Sequence, residues 1–448
     1  MSAIMVKAIS KQSSSINGIT KVPGDKSISH RSLMFGAMTE GETMISGLLE
    51  GEDVLHTADA MRAMGAKIER GDDGLWRTFG VGLGNLKQPQ HHLEMGNSGT
   101  STRLLMGIVA GHDITATFTG DDSLIKRPMK RIMTPLSEMG AEFMGRDGDK
   151  LPMTVTGAKE CKSIEYKLPV ASAQVKSAIM LAGLNANGTT TIIEEQPTRD
   201  HSENMLRHFG IDVDIEDLGN KAKAIHVKGG QTMQACAVDV PGDPSSAAFP
   251  VAAAIMNEGS DLTINHICIN PTRIGFYTAL QSMGADIEFI NQSIEGGEPV
   301  ADIRVRGIGP LKGVDLDPTL VPAMIDEFPI FSMIASCASG TTKMTDLAEL
   351  RVKESDRLLM VAQGLQACGI SLDMGEDSLT INSNGQAPIG GGHIKTALDH
   401  RIAMAFLTFG SVTNEPITID DATPIATSFP NFMTLMNEIG CDIDEYAE

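Results

Sequence analysis

The sequence predicts an α/β protein of two duplicated halves, each assembled from three similar units. Three observations predict it. A phrase of the form Leu-x-x-Met-Gly-Ala-x-Ile recurs six times along the chain. The corner Val-Pro-Gly-Asp is written twice, at 22–25 and 240–243, once in each half. The length of 448 residues exceeds what a single core usually holds.

The six phrases are "MRAMGAKI" (61–68), "LSEMGAEF" (136–143), "LRHFGIDV" (206–213), "LQSMGADI" (280–287), "LQACGISL" (365–372) and "MNEIGCDI" (436–443). In each, apolar residues three apart mark the last turn of an amphipathic helix. Gly65, Gly140, Gly210, Gly284, Gly369 and Gly440 then stand where a left-handed cap is needed, and an alternating strand follows. Successive copies start 70 to 85 residues apart, room for two helices and three or four short strands per unit. Unrelated helix-to-strand turns explain the even spacing less well than duplication.

Composition narrows the function. A formal charge of −21 argues against nucleic acid or an anionic membrane as partner. Only 4% of residues are aromatic, with a single tryptophan, Trp76, so stacking platforms for bases are not expected. Six scattered cysteines (161, 236, 268, 337, 368, 441) show no CxxC pair and read as thiols of a reducing compartment. The start "MSAIMVKAISKQSSS" resembles neither a signal nor a transit peptide, and no apolar run approaches a membrane span. A cytoplasmic protein is expected.

The chemistry-bearing stretches share one design, a helix start decorated with Ser, Lys or Arg. "VPGDKSISHR" puts Lys26 at such a start, with Ser27 and Arg31 four apart on one face. The same residues also read as an ordinary solvated helix. "MGNSGTSTRLL" sets Asn97, Ser98, Gly99 and Thr100 before an apolar helix, as an anion nest or a plain cap. "KRPMKR" gathers Lys126, Arg127, Lys130 and Arg131, the usual signature of a solvated basic face. "VASAQVKSA" opens on Ser172, Ala173 and Gln174, and "PTRDHSE" on Arg199, Asp200 and His201. In the second half, "LRVKESDR" spaces Lys353 and Arg357 around Glu354, and "LDHRIAM" carries Asp399, His400 and Arg401 into a helix. "PAMIDEFPIF" isolates Asp326 and Glu327 among apolar residues, where desolvation would raise a carboxylate toward a base's range, or where a paired acid would sit. There is no metal-ligand cluster, P-loop, G-x-S-x-G elbow or dinucleotide fingerprint. Convergent helix starts suit a small doubly anionic ligand.

At these residues the chain resembles the 5-enolpyruvylshikimate-3-phosphate synthase family along its full length. The phrases are "PGDKSISHR", "GNSGT", "KRPM", "SAQVKSA", "RDHSE", "VPGDPSSAAFP", "NPTR", "LRVKESDR", "LDHRIAM" and "DDATPIATSFP". The wording is nearest the bacterial glyphosate-tolerant-type subclass. The resemblance implies two domains, each of three βαβαββ units around a pseudo-threefold axis (the enolpyruvyl transferase fold, an inside-out α/β barrel). It implies residues 21–240 as the first domain, 1–20 with 241–448 as the second, and an active site in the interdomain cleft. The implied reaction transfers the enolpyruvyl group of phosphoenolpyruvate to the 5-hydroxyl of shikimate 3-phosphate and releases phosphate. No metal or organic cofactor is implied. The implied partners are the two substrates and the inhibitor glyphosate, acting on a cytoplasmic monomer.

Carried over by position, Lys26, Ser27, Arg31, Ser172, Ala173, Gln174, Arg199, Asp326 and Lys353 resemble the shikimate 3-phosphate contacts. Lys26, Gly99, Arg127, Gln174, Arg357 and Arg401 resemble the phosphoenolpyruvate contacts. Asp326 matches the base on the 5-hydroxyl, and Glu354 the proton carrier to carbon 3. The chain departs from many members in having Thr427 where they have lysine. Tolerant relatives often carry alanine at Gly99, so a methyl there is expected to meet the bound inhibitor. A sister enzyme acting on UDP-N-acetylglucosamine usually has a cysteine in the loop before its Arg-Pro. Here Asp122 precedes Arg127 with no cysteine near. A non-enzymatic anion-binding scaffold fits the net charge poorly.

Overall fold

The computed structural model describes residues 6–446. Residues 1–5 and 447–448, which the expected domain division also assigned, lie outside the described residues. All six phrase glycines have positive φ, between 81° and 117°. They end the helices Glu52–Ala63, Lys130–Glu138, His201–His208, Gly275–Ser282, Arg357–Ala367 and Phe432–Glu438. A residue with a Cβ is strained in that left-handed conformation, which is why glycine recurs there.

Six small sheets accompany the six phrases, five of four strands and one of three. The register repeats. An edge strand runs parallel to its neighbour, as Leu93–Glu94 does beside Thr115–Thr119, and the following pairs are antiparallel. In the three-stranded sheet, isolated parallel bridges from Lys312 and Asp315 take the edge position. Three sheets are completed from far along the chain. Lys7–Lys11 inserts between Ile417–Ile419 and Asp442–Tyr446, antiparallel to both. Asn17–Thr20 lies parallel to Asp261–Cys268, while Ala237–Asp239 lies parallel to Glu40–Ser46.

The chain forms two compact units. One comprises Gly24–Val240 with Ile294–Glu298; the other holds the described residues through Pro23, Pro241–Ser293 and the chain from Pro299 onward. Two of the crossings, at Pro23–Gly24 and Val240–Pro241, fall inside the Val-Pro-Gly-Asp corners. A Cβ on Gly24 would lie 2.0 Å from the carbonyl oxygen of Gly47, and one on Gly242 would lie 2.7 Å from Ile267 Cδ1. At Gly24 the obstacle is backbone and leaves no room for a side chain; at Gly242 it is the end of the Ile267 side chain. The stretch Ile294–Glu298 departs from the expected division because Glu298 is buried and bonded by His201 (2.9 Å) and Asn204 (3.3 Å).

Each unit is centred on three helices that are buried on nearly every side. They are Lys26–Met38, Gly99–Ala110 and Ala173–Gly183 in one, and Pro244–Met256, Phe328–Ala335 and His400–Gly410 in the other. Such helices can have no wet face, so their apolar residues run all round. Gly107 lets one helix approach another closely, since a Cβ there would sit 2.4 Å from the carbonyl oxygen of Ala178. Five of the six starts are capped by a side chain: Asp25, Ser98, Ser172, Asp243 and Asp399 each accept a backbone N–H of the first turn. Polar residues cluster toward the helix starts, where Lys26, Ser27, Arg31, Gly99, Gln174 and Arg401 lie, although Ser332 and Thr408 stand further along.

Candidate functional site

In the unit built on Gly24–Val240, Asp25 Oδ1 accepts from Ile28 N at 2.9 Å and fixes the helix start. Lys26 follows, and its ammonium forms an ion pair with Asp53 of the helix Glu52–Ala63. Ser27 is half-buried beside it. Arg31, one turn on, is only 4% exposed. Its Nε donates to Ser202 Oγ (2.8 Å), Nη1 to the carbonyl of Ser27 (3.0 Å) and Nη2 to Ser177 Oγ (3.0 Å). Burial lowers its pKa to about 10, against the opposing pull of Glu203, Asp25 and Glu298, with Arg199 adding to the lowering. Arg199 therefore belongs to the same electrostatic neighbourhood. Its neighbour His201 does not face a ligand: it is buried and bonded to Glu298.

A second group stands at the start of the helix Gly99–Ala110. Arg127 Nη2 donates to Asn97 Oδ1 (2.7 Å) and Ser123 Oγ (3.1 Å). Arg103 Nη1 donates to the carbonyl of Gly99 (3.2 Å) and to Gln174 Oε1 (3.0 Å). Gln174 Nε2 completes the ring by donating to Thr100 Oγ1 at 3.0 Å. Ser172 caps its own helix at Val175 N (3.4 Å), and Ala173 opens that helix half-buried. Of the basic run, Arg127 stands beside this ring, close to Gly99, while Lys126 and Lys130 are exposed. Two guanidiniums and a helix start meet at Gly99, an arrangement that suits phosphate or carboxylate.

In the other unit, Arg357 is 1% exposed and surrounded by carboxylates. Its Nε donates to Asp399 Oδ2 (2.8 Å), Nη2 to Glu354 Oε2 (2.5 Å) and Nη1 to Asp326 Oδ1 (3.2 Å). Burial works against its charge, yet Asp399, Glu354 and Asp326 outweigh that and hold its pKa above the ordinary value. Lys353 Nζ lies 3.5 Å from the same Asp326 oxygen. Arg401 Nη1 donates to the Asp326 carbonyl at 3.2 Å and lies 3.5 Å from Glu327 Oε1. Asp399 also accepts from Ser355 Oγ (2.9 Å) and caps Arg401 N (3.0 Å). Of the two readings the sequence left open for Asp326, the structure favours the paired acid: its carboxylate is held by two cations. Lys353 and Glu354 are not helical, because the helix starts at Arg357 after a short turn at Ala348–Val352. Thr427 spends its hydroxyl on the Pro424 carbonyl at 2.8 Å.

Sequence reading missed Asp53, Arg103, Ser177, Ser202 and Ser355. Arg103 had a signal, since it stands four residues after Gly99 and so over it on the helix. The others are brought in by packing and leave no local trace.

The EPSP synthase family model (3-phosphoshikimate 1-carboxyvinyltransferase) matches residues 10–436. The chain is 54% identical over 428 residues to a 3-phosphoshikimate 1-carboxyvinyltransferase of Parvibaculum lavamentivorans, covering 96% of this chain and 95% of that one. It is 53% identical over 441 residues to one from Paramagnetospirillum magneticum, covering 98% and 99%. Among solved structures, EPSP synthase from Acinetobacter baumannii superposes with a TM-score of 0.88 at 46% identity, covering 99% of this chain and 100% of that one. The enolpyruvyl transferase NikO from Streptomyces tendae shares the fold at 16% identity, with a TM-score of 0.76 and 99% of each chain covered.

Proposed function

The chain belongs to the EPSP synthase family, and from that premise we propose how its two residue clusters divide the work of the reaction. The enzyme transfers the enolpyruvyl group of phosphoenolpyruvate to the 5-hydroxyl of shikimate 3-phosphate and releases phosphate, in the shikimate pathway. Lys26, Ser27, Arg31, Ser172, Ala173, Gln174, Arg199, Asp326 and Lys353 bind shikimate 3-phosphate. Lys26, Gly99, Arg127, Gln174, Arg357 and Arg401 bind phosphoenolpyruvate. Asp326 takes the proton of the 5-hydroxyl as its oxygen attacks carbon 2, and Glu354 delivers a proton to carbon 3. The tetrahedral adduct then loses a proton from that carbon together with phosphate, and the double bond returns. Positioning and fixed charge carry most of the rate.

The observation that carries this reading is the arrangement around Arg357. One buried guanidinium is shared among Asp399, Glu354 and Asp326. An incoming phosphate or carboxylate competes for that cation and releases Glu354 and Asp326, while Asp399 at the rear keeps the guanidinium in place. The anion thus frees the two carboxylates that move protons, at the moment the substrate is seated. We further read the enzyme as a cytoplasmic monomer of the glyphosate-tolerant-type subclass. Supporting a reducing compartment, Cys161, Cys236, Cys337, Cys368 and Cys441 are free thiols. Burial pushes them up, to about 12 for Cys337 and Cys441. No helix among the described residues is long and apolar enough to cross a membrane.

The test is phosphate release from phosphoenolpyruvate with either acceptor. Release that depends on shikimate 3-phosphate and is absent with UDP-N-acetylglucosamine is expected. Release with the UDP-sugar instead, or without any acceptor, overturns the reading.

A further inference from the structure

Behind Lys26 and Gly99 lies a buried polar chain for which the reaction has no direct use. His30 is fully buried in the helix Lys26–Met38, and its Nδ1 lies 2.8 Å from Thr57 Oγ1 and 3.2 Å from Ser101 Oγ. Thr57 Oγ1 lies 2.8 Å from Ser101 Oγ and 3.3 Å from the carbonyl of Asp53, the partner of Lys26. Ser101 Oγ lies 2.7 Å from Ser98 Oγ, the cap of the helix that opens on Gly99. Three helices are thereby joined through one threonine hydroxyl, and two of them begin at proposed phosphoenolpyruvate contacts.

The direction of the chain follows from the imidazole. Burial, with the charges of Lys26 and Arg31, holds the His30 pKa well below the usual histidine value, so the ring is neutral. Its Nε2 is buried and has no hydrogen-bond partner. A buried orphan N–H is rarer and costlier than a buried bare acceptor, so the proton sits on Nδ1. His30 then donates to Thr57, Thr57 to Ser101, and Ser101 to Ser98. Each hydroxyl spends its single proton in one direction, and a directional network of this kind holds its members more rigidly than separate pairs.

We infer that Thr57 is a positioning residue for the phosphoenolpyruvate site: its hydroxyl registers the Lys26 helix and its own helix, which carries Asp53, against the helix start at Gly99. The inference rests on the reading of Lys26 and Gly99 as phosphoenolpyruvate contacts. Arg31 is tied separately, to Ser177 and Ser202, so shikimate 3-phosphate keeps its own anchor.

Thr57→Val keeps the shape of the side chain and removes only the hydroxyl. Expected is a rise of fivefold or more in KM for phosphoenolpyruvate, with the dissociation constant of shikimate 3-phosphate within twofold of wild type. Thr57→Ser restores the wild-type values. Should Thr57→Val fail to fold, Ser101→Ala breaks the same chain one link on and carries the same expectation. Nitrogen NMR of labelled histidine is expected to show a neutral His30 protonated on Nδ1. An unchanged KM, an equal loss for both substrates, or a proton on Nε2 overturns the inference, since loosened packing alone would not separate the substrates. Lys26→Ala is measured alongside. If it abolishes activity while Thr57→Val is silent, only the positioning role falls; if it retains activity, the reading of the helix start falls and the inference with it.

Discussion

Gly99→Ala should weaken phosphoenolpyruvate binding through the enzyme's own arginines. A Cβ at Gly99 would lie 2.6 Å from Arg103 Nη1 and 3.2 Å from Arg127 Nη1. Ordinary contact needs about 3.5 Å, so the Arg103 nitrogen must retreat by roughly 1 Å. Its bond to Gln174 Oε1 is 3.0 Å long and does not survive that move. A hydrogen bond to a charged group is worth ~1.5–3 kcal/mol, and part of it is recovered because the far end of an arginine can swing. A net loss of about 1–2 kcal/mol corresponds to a rise of roughly 5- to 30-fold in KM for phosphoenolpyruvate. Folding stability should fall by no more than about the same 1–2 kcal/mol, since the lost bond is internal to the fold and alanine is the better helix former. Phosphate release at varied phosphoenolpyruvate, with and without glyphosate, measures both arms. Glyphosate is the longer ligand, so its inhibition constant should rise by more than the KM does. A KM within twofold of wild type, with inhibition by glyphosate unchanged, would refute the steric reasoning at Gly99.

Asp326→Asn should bind shikimate 3-phosphate at least as well as wild type, because it removes a negative charge from beside Lys353 and Arg357. Its turnover should fall by about 10²-fold or more, the usual loss with a general base; turnover within threefold of wild type would remove Asp326 from that role. Asp399→Asn leaves a cap but strips one carboxylate from buried Arg357. The cost should be ~3 kcal/mol, the low end for a broken buried pair because Glu354 and Asp326 remain, or about 6–12 °C in Tm. The acid limb should change too. Burial pulls the Asp399 pKa upward, but Arg357 outweighs it and holds the carboxyl below the ordinary carboxylate value. A carboxyl depressed in the folded state contributes stability above its unfolded value and loses it as pH falls through the lower folded value. The wild type should therefore lose its advantage over Asp399→Asn below about pH 4, and melting curves that stay parallel down to pH 2 would contradict this.

The architecture was legible because its signals are local. A glycine after an amphipathic turn, a cap such as Asp25 or Ser98, and a tight Val-Pro-Gly-Asp corner each act within a few residues. Six spaced repetitions of the first therefore marked six units before any contact was known. The cationic residues of the candidate site were legible for the same reason, standing at helix starts where the backbone already favours anions. Their partners were not. Lys26 takes Asp53, Arg103 takes Gln174, and Arg357 takes Asp399 and Asp326. These choices depend on which helices pack together, and sequence spacing carries no record of that. Asp326 shows the limit: its sequence context left a desolvated acid and a paired acid both open, and only packing chose the pair. Arg357 and Lys353 come from elsewhere in the fold to a carboxylate whose local sequence is mostly apolar, because a buried charge must find its counter-charge in three dimensions.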